Sequence, residues 1–265
     1  MGNLLLKHEA AKRKTPPMPL DVCVAETQAE IGYMLQQELR NELARRGIKR
    51  NVTSLVTQVL VDARDPAFLH PSKPIGPYYS KTAARELMRR RRWRMVFDER
   101  GGWRRVVPSP RPLEIVERAT IRRLLFTGTS DEVVISAGGG GIPVVRRGKR
   151  LVGVEAVVDK DLAASVLATG IGEKLFIILT DVPHVYVHYG TPRQRKLMRL
   201  TATEAERFLR DGQFPPGTMG PKIDAAIQFV RGGGERVVIT DLRSLRRALT
   251  GRAGTTIFRD RREPS

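Results

Sequence analysis

The spacing of apolar side chains along the chain switches between a helical and a strand period. "TQAE" at 27–30 has the form of a capping box, and Ile31, Met34, Leu35 and Leu39 recur at helical spacing towards a stop near Gly47. "VTSLVTQVLVD" (52–62) is β-branched and reads as one strand. Residues 64–111 break the rhythm with Pro, Gly, Arg and aromatics, as in "HPSKPIGPYY" and "RRVVPSPRP". That predicts either a long excursion or a small inserted subdomain, and Trp93, Phe97, Trp103 and the paired valines argue against uniform disorder. Regularity resumes with a helix over 112–126, the strand "EVVISA" (132–137), the glycine run Gly138–Gly141 and a helix at 161–170. "KLFIILTDV" (174–182) reads as a buried, parallel-type strand. A second capping box at Thr201 and Glu204 opens another helix. Ile223, Ile227 and Val230 line a further one, before the strands "ERVVITD" (235–241) and "TTIF". This alternation predicts an α/β fold, an open and mostly parallel sheet with helices on both faces.

In such a sheet, ligands bind beyond the carboxyl ends of the strands. Three loops fall there: Gly138–Gly141, Thr180–Val182 and the loop before Lys222. A glycine run removes every Cβ, admits positive φ and bares successive N–H groups that can face an anion.

Composition narrows the class. A single cysteine, Cys23, excludes an internal disulfide framework, and the four histidines show no HExxH spacing, so no protein-held metal is expected. No apolar run approaches a membrane span and the first residues are too short for a secretory signal, so a cytoplasmic protein is expected. The net charge of +19 comes from 36 arginines against 11 lysines. The arginines are scattered, and no nucleic-acid-binding module is present, so nucleic acid is not the expected partner. Neither a GxxxxGK[ST] loop nor a GxGxxG fingerprint occurs.

Scarcity makes three lysines conspicuous. Lys160 sits between two aspartates where an apolar run meets a helix, Lys222 follows "GTMGP", and Lys73 is framed by prolines. A compact ammonium suits a transferring phosphoryl group, and Asp161 can hold a lysine by charge-assisted hydrogen bonds. Singly, each is an ordinary surface or turn lysine. Jointly, on loops at one end of a sheet, they point to phosphoryl transfer without a P-loop.

The strings "DARDPAFLHPSKPIGPYYS", "RRVVPSPRPLEIVE", "VISAGGGGIPVV", "VEAVVDKDLAASVLA", "ILTDVPHVYVHYGTP" and "FPPGTMGPKIDAAIQF" resemble carbamate kinases of the amino-acid-kinase fold group, in order from Gly2 to about Ile257. The resemblance implies reversible phosphoryl transfer between ATP and carbamate with Mg²⁺, giving ADP and carbamoyl phosphate, usually run towards ATP in arginine breakdown. It implies that Lys160 and Lys222 contact the nucleotide phosphates and the moving phosphoryl group, and that Asp161 orients both. Lys73 would reach from the 64–111 lid to the carbamate end, and Gly138, Gly139, Gly140 and Gly141 would donate N–H groups to the anionic substrate. Thr180, Asp181, Tyr186, Met219 and Gly220 would border the nucleotide. Residues 1–158 would form the carbamate-side half and 159–265 the nucleotide-binding half of one domain, in a homodimer. Members of the family begin with a strand, a glycine–asparagine loop, a helix and a second strand with a "GNGPQVGN"-like turn. The chain, starting at "MGNLLL", is expected to lack these. Rival readings are a kinase for acetylglutamate or a nucleoside monophosphate, which the "PSKPIGPYY" string disfavours, or a basic nucleic-acid-binding relative on a silent kinase scaffold.

Overall fold

Helix α1 spans Leu20–Arg45 and buries a stripe of Leu20, Cys23, Val24, Gln28 and Gly32. The computed structural model to which it belongs describes Leu4, Lys7 and residues 18–126 and 131–260. The expected capping box at 27–30 is not a helix start. Thr27 lies inside α1, where its hydroxyl donates to the Cys23 carbonyl one turn back at 2.8 Å. Ile31, Met34, Leu35 and Leu39 are helical as expected, yet they form the exposed face, between 38% and 51% accessible.

The described residues divide into two compact units, 1–163 and 164–265. In the first, the apolar stretch 52–62 is two strands, β1 (Asn51–Ser54) and β2 (Gln58–Val61), which join different sheets. Thr57, buried between them, gives its N–H to the Gln28 side chain instead of a neighbouring strand and so interrupts the ladder. Strand β1 pairs in parallel with β7 (Glu132–Ile135), and β2 in parallel with β8 (Ile142–Arg147). Antiparallel strands β6 (Pro112–Ile115) and β9 (Arg150–Gly153) complete the order β6-β2-β8-β9. The segment expected to be one helix from 112 thus begins as a strand and becomes helix α3 only at Arg118–Phe126. Pro112 sits where β6 bulges against Val61, an edge position that needs no ladder donor from it.

Residues 64–111 are a folded lid. Strands β3 (Lys73–Tyr79), β4 (Arg94–Asp98) and β5 (Gly102–Val107) form an antiparallel sheet of order β3-β5-β4, with helix α2 (Lys81–Arg91) beside it. Its small core uses Ala84, Met95 and Val106, and Trp93 is flanked by the guanidinium groups of Arg91 and Arg105.

Helix α4 (Lys160–Ile171) contains the point of division. The second unit has a four-stranded sheet of order β10-β14-β15-β13, from β10 (Leu175–Thr180), β13 (Arg199–Thr201), β14 (Arg236–Asp241) and β15 (Thr255–Phe258). Strand β10 pairs in parallel with β14, and β13 with β15, while β14 and β15 run antiparallel. The strand expected to be fully buried, β10, is an edge strand with Leu179 46% exposed; β14 is the one whose Val237–Thr240 are all buried. Helix α5 (Ala202–Arg210) has the expected capping box: Glu204 N–H donates to Thr201 Oγ1 at 3.2 Å and Thr201 N–H to Glu204 Oε2 at 2.8 Å. Helix α6 (Met219–Arg231) buries Ile223, Ile227, Phe229 and Val230, and the Ser165 hydroxyl donates to its Ala225 carbonyl at 2.9 Å.

Candidate active site

The glycine run becomes a single 3₁₀ turn, Gly138–Gly140, joining β7 to β8. Gly139, Gly140 and Gly141 all have positive φ, and so does Ala137 at 54°. The turn closes on itself: Gly140 N–H donates to Ala137 and Gly141 N–H to Gly138. Of the four glycines expected to offer N–H groups, the two exposed ones, Gly138 and Gly139, are therefore presented to solvent, while Gly140 and Gly141 are buried. No helix follows the turn in sequence. It rests instead against the start of α4, since a Cβ on Gly140 would stand 2.5 Å from the Val158 carbonyl oxygen.

The turn is pinned from below. Gln28 Nε2 donates to the Thr57 carbonyl at 3.0 Å, and Gln28 Oε1 accepts from Thr57 N–H and Oγ1–H at 3.1 and 3.0 Å. Thr57 Oγ1 in turn accepts from Ala137 N–H at 2.7 Å. With every polar atom partnered, this buried amide–hydroxyl pair is a rigid support.

Lys73, at the start of lid strand β3, places its Nζ 2.8 Å from Asp159 Oδ2. The other oxygen of Asp159 accepts from Asp161 N–H at 2.9 Å, and its carbonyl accepts the first helical bond of α4 from Ala163. Asp159 therefore caps α4 and binds the lid lysine with one carboxylate. Burial would push its pKa up, but the Lys73 hydrogen bond and charge, the Asp161 N–H and the Lys160 charge hold it below the usual carboxylate range. Lys160 extends from the first turn of α4, 62% exposed along its side chain, with Nζ 3.3 Å from Asp161 Oδ2. The first unit thus gathers Lys73, Asp159, Lys160, Asp161 and the glycine turn.

Asp159 escaped the sequence reading, which used only the second aspartate of "DKD". An aspartate just before a helix is a capping signal, but its partner lies 86 residues away on the lid. Gln28 and Thr57 gave no signal, because "TQAE" looked like a helix start and Thr57 like a strand residue.

The second unit holds the remaining candidates. Thr180 ends β10, and its hydroxyl donates to Asp181 Oδ1 at 3.1 Å. Tyr186 lies in β11 (Val185–Val187), which pairs antiparallel with β12 (Arg195–Leu197), and is half-buried with the rings of His184 and Tyr189 at 6.2 and 5.9 Å. Met219 and Gly220 open α6, with Gly220 N–H bonded to the Pro215 carbonyl at 2.9 Å. Lys222, in the first turn of α6, is only 8% exposed, a burial that a lysine adopts only when its ammonium is satisfied.

Residues 3–241 match the model of the amino acid kinase family. A carbamate kinase from Pyrococcus horikoshii is 44% identical over 259 residues, 97% of this chain and 82% of that protein. The chain belongs to the carbamate kinases of this family. One from Halobacterium salinarum is 47% identical over 97% of this chain and 81% of its own length. A carbamate kinase from Giardia lamblia, solved bound to AMP-PNP, superposes with a TM-score of 0.90 at 42% identity, covering 98% of this chain and 81% of that one. A solved protein from Aeropyrum pernix K1 gives the same TM-score at 48% identity, covering 98% and 82%. Among the described residues, no helix is long and apolar enough to cross a membrane. Among them too, no three His, Cys, Asp or Glu side chains gather as a metal site.

Proposed function

We propose that this protein catalyses reversible phosphoryl transfer between ATP and carbamate. The observation that carries the reading is the 44% identity to a carbamate kinase over 97% of the chain, which takes in the lid, the glycine turn and all three lysines. In the ATP-forming direction, an oxygen of the ADP β-phosphate attacks the phosphorus of carbamoyl phosphate. The bond from phosphorus to the carbamate oxygen breaks, and carbamate leaves with the electron pair. Charge spreads over the equatorial oxygens of the moving group, so the protein's work is positioning and electrostatic compensation.

In this reading Lys160 and Lys222 meet the phosphates and the moving phosphoryl group, with Asp161 orienting them. Lys73 serves the carbamoyl end, and Gly138 and Gly139 offer N–H groups to the same anionic substrate, backed by the buried Gly140 and Gly141. Thr180, Asp181, Tyr186, Met219 and Gly220 border the nucleotide. Residues 1–158 then act as the carbamate-side half and 159–265 as the nucleotide half. Mg²⁺ enters with the nucleotide as part of the substrate. The protein works in the cytoplasm as a homodimer; the exposed apolar face of α1, with Ile31, Tyr33, Met34 and Leu35, supports self-association. ATP formation that requires both ADP and carbamoyl phosphate is the test, and its absence overturns the reading.

A further inference from the structure

We propose that Asp159 is a positioning residue for this reaction, the post on which the lid lysine docks. The lid meets the rest of the first unit at a small apolar joint, where Ile75 of β3 and Val107 of β5 pack with Leu20 and Val157. Val157 N–H donates to the Pro108 carbonyl at 3.0 Å, just beyond the end of β5. Beside that joint, among the described residues, ion pairs link lid to base. Arg105 meets Glu155 at 3.0 Å, but that carboxylate is 62% exposed and screened by water. Lys73 meets Asp159 at 2.8 Å, with the carboxylate side chain only 10% exposed. The second pair is the one able to fix the angle of a lysine.

Asp159 is also where three parts of the candidate site meet. Its Oδ1 fixes the first turn of α4, which carries Lys160 and Asp161. The Val158 carbonyl just before it is the surface on which Gly140 rests. Holding Lys73 on this carboxylate therefore registers the lid against both the glycine turn and the phosphate-facing lysine before substrate arrives. The binding free energy of carbamoyl phosphate is then not spent on ordering a long, mobile side chain.

This inference rests on the reading that places Lys73 at the carbamoyl end, and its test has an arm independent of that reading. Asp159→Asn keeps a capping oxygen for Asp161 N–H and removes the charge that holds Lys73. We expect KM for carbamoyl phosphate to rise about tenfold, the worth of one charge-assisted hydrogen bond, with KM for ADP unchanged within about twofold. In a Lys73→Ala background the same change should add nothing, because the two residues act as one unit.

The second arm is fluorescence. The chain has two tryptophans, Trp93 and Trp103, and both lie in the lid. Acrylamide quenching of the substrate-free protein should increase in Asp159→Asn and in Lys73→Met alike. Lys73→Met leaves the cap intact and serves if Asp159→Asn does not fold. Unchanged quenching in the variants overturns the docking role. So does an equal rise in both KM values that persists without Lys73. Absence of activity in the unaltered protein together with increased quenching would instead leave the docking in place and discard the carbamate kinase reading.

Discussion

Gly140 lies with its Cα turned onto the Val158 carbonyl, so that a Cβ there would come within 2.5 Å of the oxygen, at a φ of +103°. Neither the backbone conformation nor the space admits a side chain. Gly139 next to it also has positive φ, at +64°, but nothing lies within 4 Å of its missing Cβ. Gly140→Ala should therefore cost at least about 2 kcal/mol, several degrees in Tm, with displacement of the turn from α4. Gly139→Ala should cost about 1 kcal/mol, from the left-handed backbone alone. Thermal unfolding of the two variants checks this, and equal losses would contradict the packing described.

The support beneath the turn can be tested separately. Gln28→Leu keeps the volume but strands the buried N–H of Thr57 and takes the acceptor from its hydroxyl, while the Thr57 carbonyl keeps Ile142 N–H. The expected loss is about 2–3 kcal/mol in urea unfolding, together with weaker binding of carbamoyl phosphate as the turn loosens. A change below about 0.5 kcal/mol would show that the pair bears little of the structure.

These supports mark the limit of what the sequence disclosed. Elements with strong periodicity or capping chemistry were legible: Thr201–Glu204 opens α5, the apolar run at 235–241 is a strand, and Ile223, Ile227 and Val230 form a buried stripe. Lys73, Lys160 and Lys222 stood out because this chain otherwise writes arginine. The apolar spacing of Ile31, Met34, Leu35 and Leu39 disclosed the helix but not its buried face, because the exposed side of α1 is richer in large apolar residues than the buried side, which uses Gln28 and Gly32. Asp159 was missed because half of its meaning is a lysine on the lid, and no local pattern records a pairing across 86 residues.

The depressed pKa of Asp159 has a consequence for acid stability. Its folded value lies below the unfolded value of about 3.9, so between the two the unfolded chain binds more protons than the folded one. The stabilisation is complete above about pH 5 and is lost as pH falls through the folded pKa. Urea midpoints measured from pH 6 down to pH 3 should fall less steeply for Asp159→Asn than for the unaltered protein. Parallel slopes would show that the Lys73 ion pair carries no net stability.

Lys160 stands at the first turn of α4 with its side chain largely exposed, and in the proposed reaction its charge meets the moving phosphoryl group. Lys160→Ala should lower kcat by about 100-fold or more while leaving KM for ADP within about threefold, the pattern of a group whose charge counts most in the transition state. Steady-state kinetics decides it, and matched losses in kcat and in nucleotide affinity would remove that role.

The most direct test of the whole account is phosphorus NMR of the purified protein with MgADP and carbamoyl phosphate. The carbamoyl phosphate resonance should decay into the γ-phosphate of ATP, and Lys160→Ala should slow this transfer without altering spontaneous breakdown. Decay into inorganic phosphate alone, at the rate seen without protein, would contradict it.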